Sequence, residues 1–414
     1  MTMLWIKLGW RNLWRNRRRS LIELTSIAGS IFLAIFMNNV AKGSYSQMID
    51  DGVRMGSGHI GIYRNGYLDL RKQDLTFTAN GVISELESLP NVKGVFPRLH
   101  VPGLIKSSRE SRATIILGLD FAREMGSNPI LKPENISAGE IPADDDKRGA
   151  LVGSVLAEEL GLKVGKKFVV MAQDADGEIA SRLYRVKGLI TTNARMIDAA
   201  MVLVPRSFLG DFIGAENGAH ELAVMLESHS FIDGAYPGIA QIAAGMNADV
   251  DAFRWEQAMP DISNAIKMDY VGLQIMVLFM YLIVAIGTIN TLLMSVMERS
   301  REFGVIRAIG LNKKGIRKIV VTEALVLGVT GVVIGYSLAM LACLYTSTHG
   351  IDYSAFIKDK GMAGTLIDPI IYSIYDWPTM IKLGIGMVVL SVVASLYPAH
   401  YVLKTRPADA MRKY

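Results

Sequence analysis

Cysteine is almost absent from this 414-residue chain, and the single copy, Cys343, stands inside a long apolar run. No internal disulfide can therefore staple any part of the fold. Histidine is nearly as scarce: six residues, scattered, with none at metal-ligand spacing, which argues against a zinc site. Charge is missing altogether from four stretches, 24–41, 271–297, 324–348 and 383–399, which contain no Asp, Glu, Lys, Arg or His. A spanning helix needs about 20 mostly apolar residues, and one or two flanking positions bring the shorter runs to that length. Soluble helices average about 11–12 residues and need a polar face, so four such runs exclude ordinary core helices. The chain reads as a polytopic membrane protein.

What is present agrees with that reading. Half the residues are apolar, yet 20% are charged, a mixture that fits a membrane bundle joined to a water-soluble domain. Residues 1–19 carry six basic side chains and no acid. The 298–318 connection carries seven basic residues against Glu298 and Glu302, and 404–414 carries four against Asp409. The positive-inside rule puts these three segments in the cytoplasm and the long 43–268 stretch outside. Four spans return both termini to one side, so parity and charge agree. The first apolar run exceeds the usual signal-peptide core of about 7–15 residues, and reads as an uncleaved anchor. Basic clusters set directly against spans are explained by anionic headgroups, without nucleic acid.

Between the first two spans, period-two runs alternate with short helical patterns. Strands are expected over 59–63, 113–119, 167–172, 183–190, 199–204 and 220–226, with helices over 154–160, 206–212 and 232–246. That alternation predicts an α+β domain, or two subdomains, large enough to bury a core. From about Asp261 to Met297 nothing breaks a helix, although its first turns are polar. It predicts a stalk rising from the second span, with 42–55 as its partner. Gly331 and Gly335 permit close helix approach. Glu23 and Glu323 lie at span edges.

Catalytic patterns are missing. The nearest approach to a phosphate loop, 161–167, has the wrong spacing and ending. Gly56-Ser57-Gly58-His59 lacks the spacing of a nucleophile elbow. The strongest signal lies in the connection after the second span, Glu-Arg-Ser-Arg-Glu-Phe-Gly-Val-Ile-Arg-Ala-Ile-Gly over 298–310. Phe303, Ile306 and Ile309 recur at helical spacing, with Arg301, Glu302 and Arg307 on other faces. This predicts a short amphipathic helix that either lies in the headgroups or docks into a groove on a cytoplasmic partner, with Phe303 and Ile306 as apolar anchors.

Together with the four spans and the large domain after the first, that stretch resembles the FtsX/MacB/LolC–LolE permeases, membrane subunits of type VII ABC transporters. The Tyr397-Pro-Ala pair and the Pro-Ala-Asp-Ala-Met-Arg of 407–412 are similar to the family's closing signature, departing from it at Arg406 and Met411. The 153–165 and 58–63 segments resemble the LolC/LolE branch. The resemblance implies a membrane protein with four transmembrane α-helices, a large α+β extracytoplasmic (periplasmic) domain and long stalk helices. The corresponding division is a basic N-terminus (1–20), first span (21–42), periplasmic domain with stalk ends (43–268) and second span (269–297). A coupling helix (298–314), third span (315–348), extracytoplasmic loop (349–376), fourth span (377–403) and cytoplasmic tail (404–414) follow.

The resemblance further implies a permease that is not itself an enzyme and holds no cofactor, ATP and Mg being bound by a separate ABC ATPase subunit in two copies. Glu298, Arg301, Glu302, Phe303, Ile306, Arg307 and Gly310 would couple to it. The second protomer would be an identical chain or a LolC/LolE-like relative, and the location the bacterial inner membrane. The implied work is mechanotransmission: extraction of lipoproteins or lipidic cargo from the outer leaflet, handed to a periplasmic lipoprotein carrier. The alternatives are MacB-like efflux of drugs, peptides or toxins with a membrane-fusion adaptor, or FtsX-like signalling to an envelope enzyme. Phe32, Phe36, Met276, Phe279 and Met280 are candidate cargo-facing residues. The LolC type carries a proline-containing hook; the matching connection here, 173–182, has no proline. That departure suits a LolE-like role or a homodimer.

Overall fold

The structure, a computed structural model, describes residues 10–11, 14–79, 81–174, 177–192, 194–246, 249–353, 361–362, 365–366 and 370–404. The closing signature beyond 404 and the centre of the 173–182 connection therefore lie outside the described residues. The chain divides into two units, one comprising Met1–Ser44, Met268–Ile351 and Ile371–Tyr414, the other Tyr45–Lys267 and Asp352–Ile370.

The first unit is built on residues 17–44 of α1 (Arg17–Met55), residues 268–298 of α2 (Pro260–Glu298), α3 (Ser300–Ala308), α4 (Lys313–His349) and α5 (Trp377–Lys404). All but α3 are long and apolar enough to cross a membrane. α1 and α2 each run 39 residues, roughly 58 Å at 1.5 Å per residue, against a hydrocarbon core of about 30 Å. Ile27, Ile31 and Ile35 of α1 pack with Val284, Leu327, Ala339 and Met387 from the other three spans. The close approach of α1 to α4 needs glycine. A Cβ at Gly331 would sit 2.7 Å from Ile27 Cγ2, and one at Gly335 would strike the Ala28 carbonyl oxygen. Higher up, the buried Asn39 amide donates to Cys343 Sγ and Met380 Sδ, both at 3.4 Å, and its oxygen accepts from the Asp376 N–H at 3.1 Å. The lone cysteine is buried, with weak polar contacts from Asn39 and Ser373.

The second unit is organised by ten strands: β1 (Ile60–Arg64), β2 (Val92–Lys106), β3 (Ser111–Leu119), β4 (Ile136–Gly139), β5 (Gly149–Gly153), β6 (Lys167–Gln173), β7 (Ile179–Ile190), β8 (Met201–Pro205), β9 (Glu221–Leu226) and β10 (Val250–Arg254). Their order is β10-β1-β9-β2-β3-β8-β5-β7-β4, and β6 joins β7 back to β2. Six strands, β2, β3, β8, β5, β7 and β6, thus close a ring, with β3–β8 and β5–β7 parallel and the other pairs antiparallel. Closure removes sheet edges that would otherwise recruit other chains. Leu99, Val101, Ile116, Val152, Val170, Val186 and Val204 form its core. The open part, β10-β1-β9 with the start of β2, is backed by helices Val82–Glu87 and Ile232–Ala244 around Ile62, Val95, Leu222, Val224 and Ile239. Met48 and Val53 of α1 and Ile262 of α2 belong to that same core. Each such fully buried aliphatic side chain contributes about 1.5–3 kcal/mol.

Four strands, β2, β4, β5 and β10, have no counterpart in the sequence reading; β4 is four residues long and mostly exposed. β2 contains Pro97 and Pro102, residues that argue against a central strand because they cannot donate to the ladder. β5 is buried throughout, so it shows no alternation; β10 is only five residues long. β2 nevertheless serves both cores, Val95 and Phe96 in one and Leu99 onward in the other.

β2 also holds the end of α1. The Arg98 guanidinium, fully buried, donates to the carbonyls of Arg54 (2.8 Å), Met55 (3.0 Å) and Gly56. Those are the carbonyls a helix C-terminus leaves without intrahelical partners. Its remaining donors meet Glu124 Oε1 at 2.5 Å and Oε2 at 2.8 Å, and Asn128 supports Glu124 Oε2 at 2.8 Å. Burial opposes the charge, but Glu124 more than compensates, holding Arg98 protonated.

Candidate functional site

The connection from α2 to α4 is folded by local chemistry first. α3 ends in a Schellman motif: the Leu311 N–H bonds the Ile306 carbonyl and the Gly310 N–H bonds that of Arg307, both at 3.1 Å. Gly310 adopts φ +110°, which a side chain would strain. Asn312 then caps α4, its oxygen accepting from the Gly315 N–H at 2.8 Å. The turn and cap that follow α3 leave its C-terminal end little choice of position.

Tertiary packing decides which face shows. Phe303 is 2% exposed, seated among Val296, Ile316, Val320, Ala399 and Val402 from the ends of α2, α4 and α5. The Arg299 guanidinium lies over its ring at 5.1 Å. This corrects the assignment of Phe303 as a docking anchor: it fastens α3 to its own bundle. The outward apolar surface is Val305, Ile306 and Ile309, the last 83% exposed. Arg301, Glu302 and Gly310 are exposed beside it, and Arg307 is half-buried.

The charged residues form a network reaching back to the chain's start. Arg15, from the 3-10 turn Trp14–Asn16, grips Glu302 through two bonds of 2.7 and 3.1 Å. One helical turn later Arg19 grips Glu298 in the same way, at 2.8 and 3.1 Å. Arg299 bridges Glu302 and Glu323, 3.3 Å from each. Two turns on from Arg15, Glu23 accepts from Thr288 (2.5 Å) and Thr291 (3.3 Å) of α2. The Arg15 fork holds the Glu302 carboxyl below the usual carboxylate range, against slight burial and with help from Arg299. Arg15, Arg19, Arg299 and Val305 were absent from the sequence-based set; the four-residue spacing of Arg15, Arg19 and Glu23 was the available clue.

The five candidate cargo-facing residues divide between two helices. Phe32 and Phe36 stack on α1, rings 5.8 Å apart, with Phe32 packed against the bundle core. On α2, Met276 and Met280 are half-buried, whereas Phe279 is exposed.

Residues 20–242 match the MacB-like periplasmic core domain, and residues 274–407 match the FtsX-like permease C-terminal family. The lipoprotein-releasing system transmembrane protein LolC of Neisseria meningitidis is 23% identical over 96% of this chain and 95% of its own length. LolC of Xylella fastidiosa is 22% identical over 76% and 73% respectively. The pyoverdine export ATP-binding/permease protein PvdT of Pseudomonas syringae is 23% identical over 89% of this chain and 56% of itself. Among solved structures, the periplasmic region of MacB from Actinobacillus actinomycetemcomitans aligns with TM-score 0.36 and 14% identity, over 52% of this chain and 98% of that one. A membrane unit of four spans, a domain of the MacB-like periplasmic core type and an FtsX-like C-terminal half make this chain a member of the FtsX/MacB/LolC–LolE family of ABC transporter permeases.

Proposed function

We propose that the chain is the membrane subunit of a bacterial inner-membrane transporter that extracts lipoproteins or another lipidic cargo from the outer leaflet. Power would come from a separate ABC ATPase, two copies of which bind ATP and Mg and dock beneath α3 on the cytoplasmic side. The observation that carries the reading is α3 itself. It is anchored inward by Phe303 and displays Val305, Ile306 and Ile309 outward, the arrangement of a short knob held for a partner's groove. Both termini would be cytoplasmic and the 43–268 domain periplasmic, as the basic flanks of the spans indicate. A second protomer, identical or LolC/LolE-like, would cover the apolar face that α2 leaves exposed at Val271, Ile275, Leu278, Phe279, Leu282 and Ile286. The same face includes Phe279, making α2 the better of the two helices for meeting an acyl chain.

The lipoprotein-releasing relatives support this cargo; on this reading a periplasmic carrier would receive it. The export relatives, for pyoverdine and for macrolides, favour a second reading, efflux; a membrane-fusion adaptor would then be the partner. Ile306→Asp with Ile309→Asp should abolish co-purification of the ATPase; retained binding and stimulated hydrolysis would overturn the docking role. Depletion of the chain should strand acylated proteins in the inner membrane. Unchanged sorting with new drug sensitivity would select the efflux reading.

A further inference from the structure

The start of α1 is joined to the coupling connection by side chains, although the two are far apart in sequence. Two arginine forks, Arg15 on Glu302 and Arg19 on Glu298, are each bidentate, the geometry in which a guanidinium matches a carboxylate best. They stand one helical turn apart, one on α3 and one on the last residue of α2. Glu302 is also held by Arg299, which ties it to Glu323 of α4. Pulling α3 in any direction therefore loads α1, α2 and α4 together.

We infer that Arg15 and Arg19 are positioning residues forming an ionic latch through which displacement of α3 is delivered to the first span. The inference rests on the docking role proposed for α3. The apolar knob receives the partner's motion, and the forks pass it to α1, whose far end is held by Arg98. Arg15 and Glu302 are exposed to solvent, 55% and 46%, and Arg19 and Glu298 partly so, 26% and 45%. Exposed pairs are screened by salt and cost little to separate, so the latch can open and re-form within a working cycle. A latch of buried charge would not have that freedom.

The test separates latch from docking. In the intact transporter with its ATPase, Arg15→Glu with Arg19→Glu should leave the ATPase bound, because neither residue belongs to the apolar knob. Cargo release per ATP hydrolysed should fall about tenfold, the order expected from two lost bidentate pairs. For the Glu298 fork alone, Arg19→Glu should lower release and adding Glu298→Arg should restore it; a swap that restores nothing, or a double reversal that leaves release intact, overturns the latch. An independent measurement needs neither ATPase nor cargo: Arg15→Cys with Glu302→Cys should cross-link rapidly in membranes of the resting protein through a bis-thiol reagent long enough to replace the two side chains, cysteines being too short to bridge directly. Absence of that cross-link sinks the latch and leaves the docking reading standing. Failure of Ile306→Asp with Ile309→Asp to release the ATPase sinks docking instead.

Discussion

Each end of the first long helix is held by an arginine–glutamate pair, and the two pairs are built oppositely. At the start of the chain, Arg15 and Glu302 are 55% and 46% exposed; beyond the other end, Arg98 and Glu124 are each 1% exposed. An exposed pair contributes about 0–1 kcal/mol, because water already solvates both partners. A buried pair gains little over apolar packing, yet breaking it costs about 3–5 kcal/mol, because a naked charge is left inside. Arg98 adds a second duty by satisfying three carbonyls at the end of α1. One end is a joint made once during folding. The other is a contact that ordinary working forces can break and restore.

The comparison can be broken in order of expected effect. Glu124→Gln keeps the shape but strands the buried guanidinium, and should destabilise the second unit by about 3–5 kcal/mol. Hydrogen exchange on β2 and the end of α1 in the full-length protein would measure this. A loss below about 1 kcal/mol would mean that Arg98 finds compensation elsewhere.

Acid should loosen the same unit. Burial pushes His59 and His220 down to about 4 from 6.5; His229 and Arg54 add to the effect at His59. At His220, His100 adds to it, whereas the Gln73 carbonyl, Glu221 and Asp74 oppose it. Between those pH values the unfolded chain takes up protons that the folded one refuses, so stability falls as pH drops from 6.5 towards 4. Each histidine accounts for about 3 kcal/mol across that window, and the decline ends below it. His220→Gln should flatten the profile by roughly one histidine's share; an unchanged slope would place the protonation elsewhere.

Smaller effects belong to the membrane unit. Gly335→Ala forces a methyl group towards the Ala28 carbonyl and should cost about 1–3 kcal/mol of α1–α4 packing, read from thermal unfolding in detergent. Arg19→Ala should change stability by less than about 1 kcal/mol, and the difference should vanish at 1 M salt, where the Debye length is about 3 Å. A larger, salt-insensitive loss would make the lower pair a second fixed joint and erase the contrast.

The spans were legible because charge cannot be hidden in hydrocarbon; its absence over 24–41, 271–297, 324–348 and 383–399 admits few other readings. The single helix Pro260–Glu298 was legible for a similar reason, since nothing in it breaks a helix. The facing of α3 was not. Phe303, Ile306 and Ile309 look like one stripe, but a step of three residues falls about 60° short of a turn. Ile309 therefore lies about 120° round from Phe303, enough for one to be buried and the other open. β2 was hidden by its prolines. Arg98 was hidden more deeply, as one basic residue in Val95-Phe96-Pro97-Arg98-Leu99 with nothing nearby to announce its partners.

What the chain alone determined is everything that depends on local composition: four spans, an α+β domain between the first two, and a short amphipathic helix after the second. Solvent preference and helix geometry act residue by residue, so those features can be read without knowing neighbours. What tertiary structure decided is every pairing across long separations, Arg15 with Glu302, Arg98 with Glu124, and Phe303 with the ends of three spans. A charge is fixed or free, and a ring buried or displayed, according to what the rest of the fold brings beside it, because burial sets the energy of each contact.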